Sequence, residues 1–167
     1  MCPHRALACA VMTAMMVARA NAQTPGIHGF RDIRTRFAVR LAVEGAAVRL
    51  ARPGCQDVFA DFEDQDGQGL STKLAVRGTH PVDAFRSLRF LDDRGARQCR
   101  SGGTLAFTQT GSSSIRVCAE QFRHAFEWNR PSTEIALIHE FLHALGLGEN
   151  PPTSRAITER VHVRCGG

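Results

Sequence analysis

The chain has 167 residues, of which 43% are hydrophobic and 22% are charged, and its formal net charge at pH 7 is +5. This length suits one domain with one hydrophobic core. The positive charge is weak and spread along the chain, which argues against a dedicated nucleic-acid-binding protein, and we expect no nucleic-acid partner.

Residues 1–22 have the composition of an export signal. Arg5 precedes an apolar run over residues 6–18, and Ala20, Asn21 and Ala22 form the small-x-small pattern that signal peptidases accept. The run is shorter than the about 20 residues that a membrane-spanning helix needs. We predict cleavage after Ala22 and a secreted or periplasmic protein that does not associate with a membrane afterwards. An uncleaved N-terminal helix is the alternative.

The next segment, residues 23–36, has little hydrophobic periodicity and contains Pro25, Gly26 and Gly29. It predicts a flexible N-terminal arm, followed by a single domain over residues 37–167. The pattern of residues 37–50 mixes helical and strand spacing and does not distinguish the two. Residues 64–69 (DQDGQG) predict a surface turn. A calcium loop is disfavoured there because Phe62 and Lys73 occupy positions where such a loop needs acids.

Three short β-prone runs follow, over residues 87–91, 104–108 and 114–118. They predict a short, mostly antiparallel sheet arranged as a meander. Over residues 119–128 the spacing of Phe122, Ala125 and Phe126 becomes helical. Two further helices are predicted over residues 134–145 and 153–165. The fold class is therefore α+β, with the sheet packed against these last two helices.

Four cysteines lie beyond the predicted signal: Cys55, Cys99, Cys118 and Cys165. An even number in an exported chain predicts two disulfides. Three pairings are possible, and we favour Cys55 with Cys99 and Cys118 with Cys165. No two of these cysteines have the C-x-x-C spacing, so a zinc site built from thiolates is not expected.

The helix predicted over residues 134–145 has recognisable ends and a buried face. Ser132 or Thr133 can cap its beginning, and Gly146 can end it in the left-handed conformation. Apolar residues recur on it at steps of three and four, which predicts one buried stripe. These residues are Ile135, Ile138, Leu142 and Leu145.

The same helix carries His139, Glu140 and His143. A four-residue step on a helix places two imidazoles about 40° apart and one turn along, close enough to share a metal ion. Glu140 projects beside them, where it could act as the general base toward a water and as the acid toward a leaving amine. The alternative interpretation is a chance match of two core histidines and a surface acid.

Residues 139–149 (HEFLHALGLGE) resemble the metzincin pattern H-E-x-x-H-x-x-G-x-x-H of the zincin metallopeptidases. The resemblance implies a small zincin-like domain that binds zinc through His139, His143 and Glu149, with Gly146 letting the chain leave the helix. Residues 145–152 (LGLGENPP) are similar to uncharacterised bacterial proteins described as secreted metallopeptidases. The likeness covers residues 114–165. The chain departs from the family in having no tyrosine and no methionine beyond residue 22.

The third ligand and the groups around the reaction have alternatives. Glu159 is the rival third ligand because gluzincins place a glutamate on a following helix, and His162 and His124 are further candidates. Zinc itself stabilises an oxyanion, and His162, Arg155 or Arg160 could add a donor. An exposed strand, for which we favour residues 104–108, could hold an extended peptide.

These features favour zinc-dependent hydrolysis of peptide bonds in extracytoplasmic proteins or peptides. Glu140 is the expected general base, and a protein or peptide is the expected substrate. Two alternatives remain: a zinc amidase acting on cell-wall peptide, and a non-catalytic zinc-binding module derived from a zincin. Glu140 favours an enzyme, because a purely structural metal site has no use for that carboxylate.

Overall fold

The computed structural model describes residues 24–167, so the predicted signal lies outside the described residues. In chain order the elements are β1 (Gly26–His28), α1 (Ile33–Leu50), α2 (Pro53–Gln56), α3 (Leu70–Val76), α4 (Pro81–Arg86), β2 (Arg89–Asp92), β3 (Ala106–Phe107), β4 (Ser114–Val117), α5 (Ala119–Trp128), α6 (Arg130–Leu145) and α7 (Ser154–Cys165). The α+β class is confirmed. Among the described helices, none has the length and apolar character needed to cross a membrane.

The four strands form one mixed sheet in the order β1-β2-β4-β3. Strand β2 runs parallel to both of its neighbours, with Phe90 opposite Ile27 on one side and Ile115 on the other. Only β3 and β4 are antiparallel. The predicted strand positions are right, but the mostly antiparallel meander is wrong. The chain crosses over after β2 so that β4 lies between β2 and β3, and local sequence patterns do not specify such a crossover.

Residues 24–36 do not form the flexible arm that the sequence predicts. Residues 26–28 are the outer strand β1, and α1 begins at Ile33. The Asp32 carboxylate caps this helix by accepting hydrogen bonds from the backbone N–H groups of Arg34 at 3.2 Å and Thr35 at 2.9 Å. The undecided segment, residues 37–50, continues the same helix to Leu50.

Helix α6 lies at the centre of the core, and most of its side chains are buried. It packs against α1, α5 and α7 and against the sheet at β3 and β4. It begins four residues earlier than predicted because Asn129, and not Ser132 or Thr133, caps it by accepting from the N–H of Ser132. Pro131 occupies the first turn of α6. Backbone N–H groups in this turn have no partner within the helix, so proline, which lacks an N–H, removes no hydrogen bond there.

Helix α6 ends at Gly146, as predicted, with φ of +117°. A Cβ at this position would lie 2.7 Å from Nζ of Lys73 and 3.1 Å from Cβ of Asp64. Lys73 of α3 and Asp64 of the predicted turn form an ion pair at 2.6 Å. Helix α3 packs against α6. The left-handed backbone conformation therefore favours glycine here, and the close approach of Lys73 and Asp64 adds to this preference.

Two disulfides form, as the four cysteines predicted, but they join Cys55 to Cys165 and Cys99 to Cys118. The pairing favoured from the sequence is therefore wrong. Helix α7 packs against α2, which brings its last residue to Cys55. Cys118, which precedes α5, lies beside the short 3-10 helix that contains Cys99. Two disulfides are consistent with an extracytoplasmic compartment.

Candidate metal centre

His139, Glu140 and His143 lie on the second half of α6 and line a cleft of 440 Å³. Residues of β3 and the adjoining Thr108 also line this cleft. All three side chains of the motif are almost fully buried, with exposed fractions of 5%, 8% and 5%. The cleft is therefore narrow where the motif faces it.

Phe141, between the histidines in sequence, anchors the motif to the core. Its ring packs edge-to-face against Phe59 with a centroid distance of 5.7 Å and against Phe85 at 5.4 Å. Because such pairs have a preferred geometry, they resist rotation of α6 about its axis. This packing holds the face that carries His139 and His143 toward the cleft.

Three donor atoms converge at the cleft. The Nε2 atoms of His139 and His143 are 3.0 Å apart. Oε1 of Glu149 lies 3.3 Å from Nε2 of His143 and 3.8 Å from Nε2 of His139. A point equidistant from the corners of this triangle is about 2.0 Å from each, which matches the about 2.0 to 2.2 Å that zinc makes with imidazole and carboxylate. The donor set fits one ion in size and in chemistry.

The orientation of His143 is set by the turn that follows α6. Nδ1 of His143 lies 2.7 Å from the backbone oxygen of Leu147. A carbonyl oxygen only accepts hydrogen bonds, so Nδ1 carries the hydrogen and Nε2 is directed toward Glu149. Leu147 is itself fixed, because its side chain is buried and its N–H donates to the oxygen of Leu142 at 3.1 Å.

The orientation of His139 depends on α7. Nδ1 of His139 lies 2.9 Å from Oγ1 of Thr158, a hydroxyl that can accept or donate. When Thr158 accepts, the Nε2 atoms of both histidines present lone pairs to the same point, which favours a cation there. When Thr158 donates, Nε2 of His139 carries the hydrogen and donates to His143. Sequence reasoning missed Thr158, because nothing in the local pattern of α7 distinguishes it from a surface threonine.

The protonation of His139 suits metal binding. Burial, assisted by the neighbouring His143, lowers the pKa of His139 to about 4, against the opposing effect of Glu149. At neutral pH the imidazole of His139 is uncharged. This is the form that offers a lone pair to a metal ion.

The pKa of the Glu140 carboxyl group is shifted in the opposite direction, upward. Burial raises its pKa to about 8, and the charge of Glu149 adds to this effect, while Thr108 opposes it. Within residues 24–167 no hydrogen-bond partner reaches the buried Oε2 atom of Glu140. An unpaired buried carboxyl oxygen is costly, and strongly shifted groups of this kind concentrate at functional sites.

The alternative third ligands lie elsewhere. Glu159 is 63% exposed on α7, and its Oε1 accepts from Nε of Arg155 at 2.7 Å. His124 is exposed on α5, 4.0 Å from a carboxylate oxygen of Glu127, and His162 is exposed on α7. Among the described residues, the group of converging donor atoms consists of His139, His143 and Glu149.

The suggested oxyanion donors also lie apart from the cleft. Arg155 pairs with Glu159, and Nε of Arg160 is 3.9 Å from Asp61. The polar side chains that line the cleft belong instead to Gln98, Thr104, Thr108, Thr110 and Ser154. Thr104 and Thr108 belong to the run over residues 104–108 that the sequence analysis favoured for holding a peptide. Gln98, Thr110 and Ser154 were not singled out, because their approach to the cleft depends on how the whole chain packs.

Strand β3 forms one edge of the sheet at this cleft. It pairs with β4 and with no other described strand, so its second edge has no strand partner in the described part of the chain. Ala106 and Phe107, the two residues of β3, line the cleft. The strand is shorter than the predicted run over residues 104–108, but it lies where an extended ligand could pair with it.

Comparisons of the chain with protein-family models, with curated proteins and with solved structures found no match. The resemblance of residues 139–149 to the metzincin pattern therefore stays a prediction. The interpretation of the site depends on its own residues and geometry.

Proposed function

We propose that the chain is a zinc-dependent peptidase that hydrolyses peptide bonds in extracytoplasmic proteins or peptides. One observation supports this above the others: the donor atoms of His139, His143 and Glu149 meet at spacings suited to one ion, directly beside the buried carboxyl of Glu140. A metal-binding group, a proton-transfer group and a cleft thus occur together. This combination is typical of hydrolytic zinc sites.

Glu140 is the proton-transfer residue of the proposal. Zinc, when bound, supplies a Lewis acid that polarises a carbonyl group and acidifies water. Glu140 accepts a proton at Oε2 from the water whose oxygen bonds to the carbonyl carbon, and then donates it to the departing amine nitrogen as the C–N bond breaks. Without a metal ion, burial raises the pKa of this carboxyl to about 8. The positive charge of a bound ion would lower the pKa toward neutral and favour the carboxylate that accepts a proton.

The edge strand β3 supports an extended peptide as the substrate. Phe107 and the adjoining Thr108 line the same cleft as His139 and Glu140. A peptide that pairs with the open edge of β3 would run past these residues with its main chain held by hydrogen bonds. Main-chain pairing would select an extended backbone, and the cleft side chains would select the residues on it.

The first experiment combines metal analysis with substitution of Glu140. The purified chain should contain about one zinc per molecule, and Glu140→Gln should retain the zinc while hydrolysis falls about 10²- to 10⁴-fold. Proteomic profiles of new peptide termini from the wild-type and Glu140→Gln proteins measure the hydrolysis without a known substrate. Zinc binding with identical profiles would contradict the enzymatic proposal and favour a non-catalytic zinc module.

The second experiment tests the ligand set with a matched pair of substitutions. Glu149→Ala removes a converging donor and should weaken zinc binding, as measured by competition with a chelator. Glu159→Ala removes an exposed carboxylate of the same type on α7 and should leave the affinity unchanged. Loss of zinc in Glu159→Ala and retention in Glu149→Ala would reverse the proposed assignment.

A further inference from the structure

A second concave surface lies away from the candidate metal centre. It is a groove of 670 Å³ between the first half of α1, helix α5 and the segment that leads into β1. Strand β1 and strand β3 form the two outer edges of the sheet. The groove is beside β1 and the metal centre is beside β3, so the two surfaces are separate sites.

The groove exposes apolar side chains that a soluble protein would normally cover. Ile33 and Phe37 on α1 are 65% and 51% exposed, and they line the groove together with Phe126 of α5. Arg36 and Arg40 lie beside them at helical spacing, so one side of α1 presents apolar and cationic groups in alternation. Apolar patches framed by charged groups are typical of interaction sites.

The positive charge at the groove has no partner within the described chain. Arg34, Arg36 and Arg40 are exposed, and none of the three forms an ion pair among residues 24–167. Acids near the groove are already engaged: the carboxylate of Asp32 caps α1, that of Glu127 binds Arg123 at 2.8 Å, and that of Glu44 binds Arg86 at 2.8 Å. The groove is therefore complementary to an acidic ligand.

We propose that this surface, the arginine groove (Ile33, Arg34, Arg36, Phe37, Arg40 and Phe126), binds an acidic, amphipathic peptide segment of another protein. Apolar side chains of the segment pack against Phe37 and Phe126, and its carboxylates bind the guanidinium groups of Arg36 and Arg40. The guanidinium of Arg40 lies 5.4 Å from the centroid of the Phe37 ring, so one contact surface offers both kinds of group.

The shape and charge of the groove favour a peptide over other occupants. A bilayer presents a flat headgroup surface that would leave a concave groove unfilled, whereas a peptide chain can enter it. Residues 1–23 of the chain itself contain no Asp or Glu, so they lack the complementary charge. A separate acidic segment satisfies both requirements.

The proposal is tested with a fluorescently labelled peptide of alternating leucine and glutamate, titrated with the full chain carrying Glu140→Gln so that hydrolysis cannot interfere. The peptide should bind, and a version with lysine in place of glutamate should not. Binding should weaken at least about tenfold as the salt concentration rises from about 0.05 M to about 0.3 M, since exposed charges are screened. Absence of peptide binding would overturn the proposal.

Substitutions on α1 distinguish the groove from the rest of the surface. Phe37→Ser and the double variant Arg36→Glu, Arg40→Glu should each weaken binding at least about tenfold, with circular dichroism confirming the fold. Val48→Ser, at a valine 66% exposed on the same helix but outside the groove, and Arg77→Glu, at an exposed arginine just after the end of α3, are the matched controls. Equal loss in the controls would overturn the proposal.

Two further measurements examine the other occupants. Cosedimentation with vesicles of phosphatidylglycerol tests a membrane surface, and sedimentation velocity tests a second copy of the chain. Binding to vesicles without peptide binding, or self-association abolished by Phe37→Ser, would replace the proposed partner. Neither result is expected.

Discussion

Thr158 and the carbonyl group of Leu147 each hold one imidazole of the candidate metal centre. They bind the Nδ1 atoms of His139 and His143 at 2.9 Å and 2.7 Å, which leaves both Nε2 atoms facing Glu149. Groups that hold the outer nitrogen of a metal-binding histidine fix its orientation and its tautomer. Leu147 does this through its backbone, so Thr158 is the partner that substitution can remove.

Thr158→Val is expected to weaken zinc binding about 10- to 100-fold, because the isosteric side chain cannot hold Nδ1 of His139. Thr158 is exposed, so the free energy of unfolding of the metal-free protein should change by less than about 0.5 kcal/mol. Chelator competition measures the affinity, and Thr158→Ser, which keeps the hydroxyl, should restore most of it. Equal affinities for the wild-type and Val variants would show that His139 needs no partner on α7.

The shifted pKa values of His139 and Glu140 give the metal-free protein a defined dependence of stability on pH. Burial lowers the pKa of His139 from 6.5 to about 4. The stability that depends on neutral His139 is therefore fully present above pH 6.5 and is lost as the pH falls toward 4. Burial raises the pKa of Glu140 from 4.5 to about 8, so its contribution is lost as the pH rises through that range. Between pH 6.5 and 8 only Glu140 of this pair still titrates.

The metal-free wild-type protein should therefore lose stability between pH 6.5 and 8 relative to Glu140→Gln, whose amide does not titrate. Denaturant unfolding of both proteins after treatment with a chelator, at the two ends of this range, measures the difference. Subtracting the free energy of unfolding of Glu140→Gln from that of the wild type cancels the effects of all other groups, which are common to both proteins. Parallel pH profiles would show that Glu140 is not held in a desolvated environment.

At the scale of elements, α1 and α6 meet at the buried carboxylate of Glu134, which two arginines bind. Glu134 of α6 accepts from Nε of Arg49 at 2.7 Å and from Nε of Arg130 at 2.9 Å, and its side chain is 8% exposed. A Cβ added to Gly45 of α1 would lie 2.1 Å from Oε1 of Glu134. Glycine at position 45 therefore provides the space that this carboxylate occupies.

Gly45→Ala should destabilise the protein by about 1 to 3 kcal/mol, because the methyl group displaces a carboxylate that two arginines hold in place. The higher helix propensity of alanine, worth about 1 kcal/mol, opposes this loss only in part. Gly54→Ala in α2 is the control, since nothing lies within 4 Å of a Cβ at that position. Thermal unfolding measures the stability of both variants. If both matched the wild type, the result would show that Glu134 can move aside to admit the methyl group.

The sequence predicted individual elements better than their arrangement. Helix α5 has the predicted limits, the helix that begins after Thr153 was found, and Gly146 ends α6 as expected. Local periodicity and capping determine these features. The parallel pairing of β2 with β4 was not predicted, because it depends on which faces the helices cover and not on the strands themselves.

At the scale of the whole molecule, α7 joins the candidate metal centre to the opposite end of the core. Thr158 lies near its middle, and its last residue, Cys165, forms the disulfide with Cys55. Arg164, next to this cysteine, binds the Asp61 carboxylate through two nitrogens at 2.8 Å and 2.9 Å. The position of Thr158 beside His139 thus depends on how firmly the end of α7 is held.

The double variant Cys55→Ser, Cys165→Ser should lose about 4 to 5 kcal/mol of unfolding free energy, against about 3 kcal/mol for Cys99→Ser, Cys118→Ser. The reason is the length of the closed loops, with sequence separations of 110 and 19 residues. Only the first variant should also weaken zinc binding, because it releases α7. Denaturant titrations measure the unfolding free energy, and chelator competition measures the zinc affinity. Equal losses of unfolding free energy in the two double variants would contradict the prediction.

The sequence identified the converging residues of the candidate site but not their surroundings. His139, His143 and Glu149 lie within eleven consecutive residues. Helical spacing predicted the approach of the two histidines, and the resemblance to the metzincin pattern implied Glu149 as the third donor. Thr108 and Thr158 reach the site from other elements, and their contribution depends on the packing of the whole chain. Assignment of zinc as the ion stays a prediction.

If the chain is exported as its first residues predict, the disulfide connectivity implies an order of events during that export. When a chain crosses a membrane from its N-terminal end, Cys55 and Cys99 meet the oxidant before Cys118 and Cys165 have emerged. Oxidation in that order would first join Cys55 to Cys99, which is not a native disulfide. Thiol–disulfide exchange would then have to transfer Cys99 to Cys118 and leave Cys55 for Cys165. Such a chain should mature faster where a disulfide isomerase is present than where only an oxidase is.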